Sequence, residues 1–165
     1  MVELFYEGVL GRQKRQSLRN KVTIKETAGK ILLYVYQLQR TVPLSMRNRQ
    51  IGFLDKPDGT IAMTADKKWL TRDLRDINPK AIDTYNAIAF LQEKKFLQLK
   101  ERVTKGVRIY IDLQLTAAGI DIVEGVERGE DGKHAFTIMF NIPVADDMDI
   151  EGLIKESLSK LLAEE

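Results

Sequence analysis

The chain has 165 residues, 44% hydrophobic and 30% charged, a balance that suits one compact domain with extensions and a core of its own. It contains no cysteine, which excludes a disulfide framework and the thiolate zinc sites; no apolar run approaches the ~20 residues of a membrane span and the opening MVELFYEGVL is not a basic leader, so a cytoplasmic protein without membrane contact is expected. The net charge of +2 conceals a gradient, ten Lys/Arg against three Asp/Glu over residues 1–50 and four against twelve over residues 117–165, as when one part faces a polyanion and another serves assembly.

Residues 1–22 read as a basic N-terminal arm. Its GRQKRQSLRNK segment holds Arg12, Lys14, Arg15, Arg19 and Lys21 with no acidic neighbour, which suits either a flexible arm along phosphates or a solvated helix face. Thr23 precedes Glu26 at capping-box spacing, and Ile24, Ala28, Ile31, Val35 and Leu38 recur at helical intervals, predicting a helix that ends near Arg40 ahead of Pro43. Lys56-Pro57-Asp58-Gly59 then separates Ile51-Gly52-Phe53-Leu54 from Thr60-Ile61-Ala62-Met63, as in a short hairpin. With Thr64 as N-cap, Leu70, Leu74 and Ile77 describe a short helix flanked by Trp69. Asn78-Pro79 opens the next helix, Asn as N-cap and Pro in the first helical position, running from Pro79 to about Lys95.

Behind that helix, Leu97, Leu99 and Val103 alternate with Gln98, Lys100 and Arg102. After Thr104-Lys105-Gly106, Val107, Ile109, Ile111, Leu113 and Leu115 alternate with Arg108, Tyr110, Asp112 and Gln114. Period two predicts a hairpin with one apolar and one wet face, closed by a three-residue loop with Gly last, and Glu101 is the one exception on the apolar side. Lys100, Arg102, Lys105 and Arg108 are expected on the wet face or tip, beside Tyr110.

Thr116 can cap a helix from Ala117 to about Glu127. After a Gly-rich turn, AFTIMFNIPV at 135–144 reads as an apolar strand that needs cover. Ile150, Leu153, Ile154, Leu158, Leu161 and Leu162 then form an apolar stripe. Ile150, Ile154, Leu158 and Leu161 are the candidate contacts of a homodimer; the alternative is a helix folded back onto its own domain. Asp146, Asp147 and Asp149 precede that helix, where carboxylates favour the N-terminal end of the dipole over a bound cation.

The segment NAIAFLQEKKFLQLKERVTKGVRIYIDLQLTAAGIDIVEG resembles the end of a winged helix-turn-helix domain. Leu91-Gln92-Glu93-Lys94-Lys95-Phe96-Leu97 stands where the family has a Leu-Glu-x-x-Gly-Leu type signal before the wing, and Leu115-Thr116-Ala117-Ala118-Gly119-Ile120 where it has Leu-Thr-x-x-Gly-Ile. The resemblance covers residues 23–127, leaving 128–165 as a C-terminal strand-helix extension whose sequence is similar to uncharacterised bacterial and mobile-element winged-helix proteins.

The resemblance implies an α+β winged helix-turn-helix protein that binds double-stranded DNA, as a transcriptional regulator does, through helix 79–95 and the wing 97–115. It places Asn86 as base reader and Lys80 near the helix start, with Lys100, Arg102, Lys105, Arg108 and the N-terminal arm on phosphates. The chain departs from the pattern at Lys95, where a Gly is usual, and in the helix face Ile82, Asp83, Asn86 and Phe90, which is poor in base readers. That face suits the alternative, a protein-interaction module anchored by Ile82 and Phe90, although Phe90 can equally pack against the N-terminal segment.

Nothing points to an enzyme. The single histidine, His134, sits in a polar stretch without a nucleophile beside it, and Gly29-Lys30 lacks the preceding Gly and following Ser/Thr of a phosphate-binding loop. No catalytic residue, cofactor or metal is expected, and the residues name no small-molecule effector.

Overall fold

The computed structural model describes residues 23–41, 50–64, 69–145 and 147–157. The expectations for Arg12, Lys14, Arg15, Arg19, Lys21, Leu158 and Leu161 lie outside these residues.

The first helix, α1 (Ile24–Thr41), begins as its capping box dictates: the Glu26 N–H donates to Thr23 Oγ1 at 3.2 Å. It is not a surface helix with one apolar stripe. Thr27, Ala28 and Gly29, then Ile31 through Tyr36, and Leu38 are all buried, so every side of its middle meets another element. The helices that follow pack around it.

Next comes the short hairpin β1 (Ile51–Asp55) and β2 (Ile61–Met63). Its turn is closed by Gly59 at φ 86 and by Asp58, whose Oδ1 accepts from the Thr60 N–H at 3.0 Å and from the Thr60 hydroxyl at 2.6 Å. Those bonds favour the charged carboxylate and lower the Asp58 pKa. Thr64 continues this hairpin, its N–H donating to Gly52 O at 2.9 Å; the cap expected of it involves residues 65–68, outside the described ones.

Helices α2 (Trp69–Ile77) and α3 (Ala81–Glu93) are joined by a turn built on Asn78. Asn78 is not the N-cap of α3. Its Oδ1 accepts from the Lys80 N–H at 2.9 Å, two residues short of the cap position, while its buried Nδ2 donates to Thr27 Oγ1 at 2.9 Å. The residue therefore links α1 to the α2–α3 turn. A buried amide needs such partners, and Thr27 supplies one.

At its other end α3 closes as a Schellman turn: the Phe96 N–H donates to Leu91 O at 2.9 Å and the Lys95 N–H to Gln92 O at 3.0 Å, with Lys95 at φ 62. Strands β3 (Leu97–Thr104) and β4 (Val107–Leu115) follow. Thr104 pairs with Val107 and both Lys105 (φ 50) and Gly106 (φ 78) are left-handed, so the loop has two residues, one fewer than expected. The four strands form one antiparallel sheet in the order β2-β1-β4-β3.

The sheet carries a bulge that reassigns its faces. The register shifts between Gln98 and Lys100, and Asp112 takes φ 57 as the extra residue of β4. Leu113 and Leu115 point into the core, and so does Tyr110 on the far side of the bulge, because one inserted residue inverts the alternation; Arg108 shares that face at its half-exposed margin. Tyr110 is 5% exposed, not on a wet face. Val107, Ile109 and Ile111 are correspondingly half-buried on the face away from the helices.

Thr116 caps α4 (Ala117–Glu124) by accepting from the Gly119 N–H at 3.0 Å. The expected strand at 135–144 is instead the C-terminal half of a helix and the segment after it, with α5 spanning Glu130–Phe140. Its first turn carries Glu130 and Asp131, favourable at a helix N-terminus, and it ends at Asn141 in the left-handed region, φ 54. Phe136 and Phe140, one turn apart, are both fully buried, and a Cβ on Gly29 of α1 would meet Phe140 Cβ at 2.7 Å. The β-rich composition is overridden by the fit of Phe140 against α1 and of Phe136 against Phe140. His134 accordingly lies on a helix, exposed.

Helix α6 (Ile150–Ser157) starts with Asp149 Oδ1 accepting from the Gly152 N–H at 2.6 Å. Ile150, Leu153 and Ile154 are buried in the same core as α1. The first half of the proposed dimer stripe is thus consumed within the chain, and a dimer contact through Ile150 and Ile154 would require that core to open.

Candidate nucleic-acid interface

The hairpin and α3 meet through a cluster that sequence periodicity does not reveal. Tyr85, on the sheet side of α3, lies edge-on to Phe53 of β1 at 5.3 Å and stacks on Tyr110 of β4 at 6.2 Å between ring centroids. Arg108 stands over the Tyr85 ring, 5.5 Å from its centroid, and donates to its hydroxyl. Its Nε is 3.1 Å from Glu101 Oε1, an ion pair without hydrogen-bond alignment. Burial, followed by hydrogen bonding to Tyr85, pushes the Tyr110 phenol up to about 12. Arg108, expected on phosphates, and Tyr110, expected beside it on the DNA-binding wet face, therefore serve to join hairpin and helix.

Glu101 is the residue whose break in alternation signalled this. On the apolar side of an ideal hairpin it has no reason to exist; opposite Tyr110 and beside Arg108 it is a partner. Tyr85 carried no comparable signal, since a tyrosine on a helix flank has many uses.

The remaining cations are solvated. Lys105 is at the hairpin tip, and Arg102 lies on edge strand β3 opposite Ile109, on the sheet face away from α3. Lys100 shares that face and stands 3.8 Å from Asp112 Oδ2, a loose surface pair. Lys80 is exposed at the start of α3. The structure thus brings Arg108 to α3, places Lys105 at the tip beyond the paired strands, and separates Lys100 and Arg102 from the helix by the thickness of the sheet.

The outward side of α3 has a different character. Thr84, Ala87, Ile88 and Leu91 are buried, whereas Ile82 is 43% exposed, Ala89 and Glu93 are exposed, and Asn86 is half-buried. No cation stands among these four positions. Phe90 is half-buried against the core, with Lys94 Nζ 5.8 Å from its ring centroid. Packing is therefore its role, and Ile82 alone remains as an apolar anchor.

No protein family, curated protein or solved structure matches the chain. Its class is mixed α+β, with helices around a four-stranded antiparallel sheet, and among the described residues no helix is long and apolar enough to cross a membrane.

Proposed function

We propose that the chain is a winged helix-turn-helix protein that binds duplex DNA, as a transcriptional regulator does, with phosphate contacts dominating over base readout. One observation carries this reading: α2 and α3, joined by the Asn78 turn, both pack on α1, and the β3–β4 hairpin that follows is held beside α3 by pairing with β1 and by the Tyr85–Arg108 contact. Support also comes from Lys95, which takes the left-handed conformation at the position where the family has glycine. Lys105, Arg102 and Lys80 supply cations that long side chains can swing to phosphates, and α3 carries two amides, the half-buried Asn86 and the exposed Gln92.

A salt titration of duplex binding tests it. Replacing Arg102 and Lys105 by Ala should weaken binding to every sequence and flatten the slope of log K against log salt by roughly 0.9 per lost phosphate contact. Undetectable binding of the parent at low salt would reject the reading. The second reading, a protein-interaction module, draws on the exposed Ile82 in a cation-free helix face. It predicts that Ile82→Asp abolishes partner capture while the hairpin substitutions leave it unchanged.

A further inference from the structure

The cleft between α4 and α5 has the make-up of a small-molecule site. Its volume is about 520 Å³, and Phe96, Ile122, Ala118 and Ala135 give it apolar walls; pockets of this size and polarity are those that enclose small organic ligands. The two segments come close through backbone at one point of the cleft. A Cβ on Gly132 would lie 1.8 Å from Gly125 O, so only a glycine permits the approach, and Ala118 and Ala135 are too short to fill the space beside it.

The charges around the cleft select the sign of the ligand. Asp121, Arg128 and Asp131 line it, two carboxylates against one guanidinium. Arg128 leans on Asp121: its Nη2 donates to Asp121 O at 2.6 Å and lies 3.9 Å from Asp121 Oδ1, a loose surface pair that offsets that carboxylate. The surplus negative charge of the cleft is then that of Asp131. We propose that this cleft binds a small amphipathic amine, its apolar body against Phe96 and Ile122 and its ammonium group beside Asp131.

Phe96 gives such a ligand leverage. Its N–H closes the end of α3, its carbonyl oxygen accepts from the Thr116 N–H at 3.0 Å at the base of α4, and it directly precedes β3. A molecule pressed on the Phe96 ring therefore bears on the joint between α3 and the hairpin. Regulation of duplex binding by this route rests on the DNA reading; occupancy of the cleft does not.

Calorimetric titration of the full chain, without DNA, decides the matter with three probes of one shape: naphthylmethylamine, naphthylmethanol and naphthoate. The amine should bind saturably and one-to-one, about three- to fivefold tighter than the alcohol, the effect of one exposed ion pair, with naphthoate weakest. Asp131→Asn should bring the amine level with the alcohol, and Ala135→Phe, at an exposed position, should fill the cleft and abolish binding of all three. Should circular dichroism show that Ala135→Phe misfolds, Ala118→Phe fills the cleft from the opposite wall. The proposal is overturned if the folded parent shows no saturable amine binding, if Asp131→Asn keeps the amine preference, or if the filled cleft still binds. Amine binding by a chain that ignores duplex DNA would uphold this site and remove only the DNA reading.

Discussion

The hairpin and the outward side of α3 stand next to each other and are built for different work. The hairpin ends in solvated cations on a tip and an edge strand, where Arg102 and Lys105 have no ion pair among the described residues. The α3 face offers Ile82, Asn86, Ala89 and Glu93, one amide among apolar and acidic groups. Phosphate contacts supply affinity without sequence information, whereas base readout needs donors and acceptors aimed into a groove. On the DNA reading, the two regions separate affinity from specificity. The chain is then strong in the first and sparing in the second, and part of its selectivity would come from duplex shape.

The largest expected effect breaks the joint between the two regions. Tyr85→Ala removes the ring that touches Phe53, Tyr110 and Arg108; urea unfolding should show a loss of about 2 kcal/mol, below the range for a fully buried ring. Tyr85→Phe keeps the ring contacts, takes away the hydroxyl that accepts from Arg108, and should cost about 1 kcal/mol. Equal losses for the two variants would show that the ring contacts contribute nothing.

Alkali probes the same joint. Tyr110 is pushed up to about 12 by burial and its bond with Tyr85, and Tyr36 to about 12 by burial and its bond to Glu124. Folding holds both protons beyond the point at which the unfolded chain, near 10.0, releases them. Stability is therefore whole below pH 10.0 and falls as pH rises toward 12. Tyr110→Phe should make that decline shallower, and an unchanged profile would contradict the assignment.

Ile82→Lys sharpens the contrast by placing a cation on the face that has none. If α3 lies against the duplex, the salt dependence should steepen by roughly 0.9; an unchanged slope would place α3 away from the phosphates and leave the hairpin as the whole contact. The smallest effect is expected where helix passes into hairpin. Lys95→Gly relieves a left-handed non-glycine residue at φ 62 and should raise stability by about 1 kcal/mol, seen as a higher urea midpoint at constant slope.

What was legible in advance was local. Thr23 and Thr116 cap the helices they precede because a side-chain oxygen reaches a free N–H two or three residues on, whatever surrounds it. The Lys56–Gly59 turn and the β3–β4 hairpin were legible for the same reason: glycine and short polar residues mark where backbone reverses. The identity of Asp112 gives no comparable sign of a bulge. An aspartate enters the left-handed region more easily than most residues, yet nothing nearby demands it, and only the need to bring Tyr110 against Tyr85 and Phe53 fixes the shift. The four hairpin cations were identified as a group, but the bulge puts Lys100 and Arg102 on one face of the sheet and Arg108 on the other, with Lys105 at the tip.

The amino-acid sequence by itself determined where α1 and α4 begin and where the two hairpins turn, since those decisions are made within a few residues by hydrogen bonds the chain makes with itself. Tertiary structure alone decided what depended on distant partners. It made AFTIMF the end of a helix, because Phe140 fits against α1 at Gly29 and Phe136 against Phe140, and it turned Tyr110 and Arg108 toward α3, because the sheet meets α3 on that side. Strand propensity is worth too little to resist such packing, and one extra residue in a strand is enough to exchange its faces.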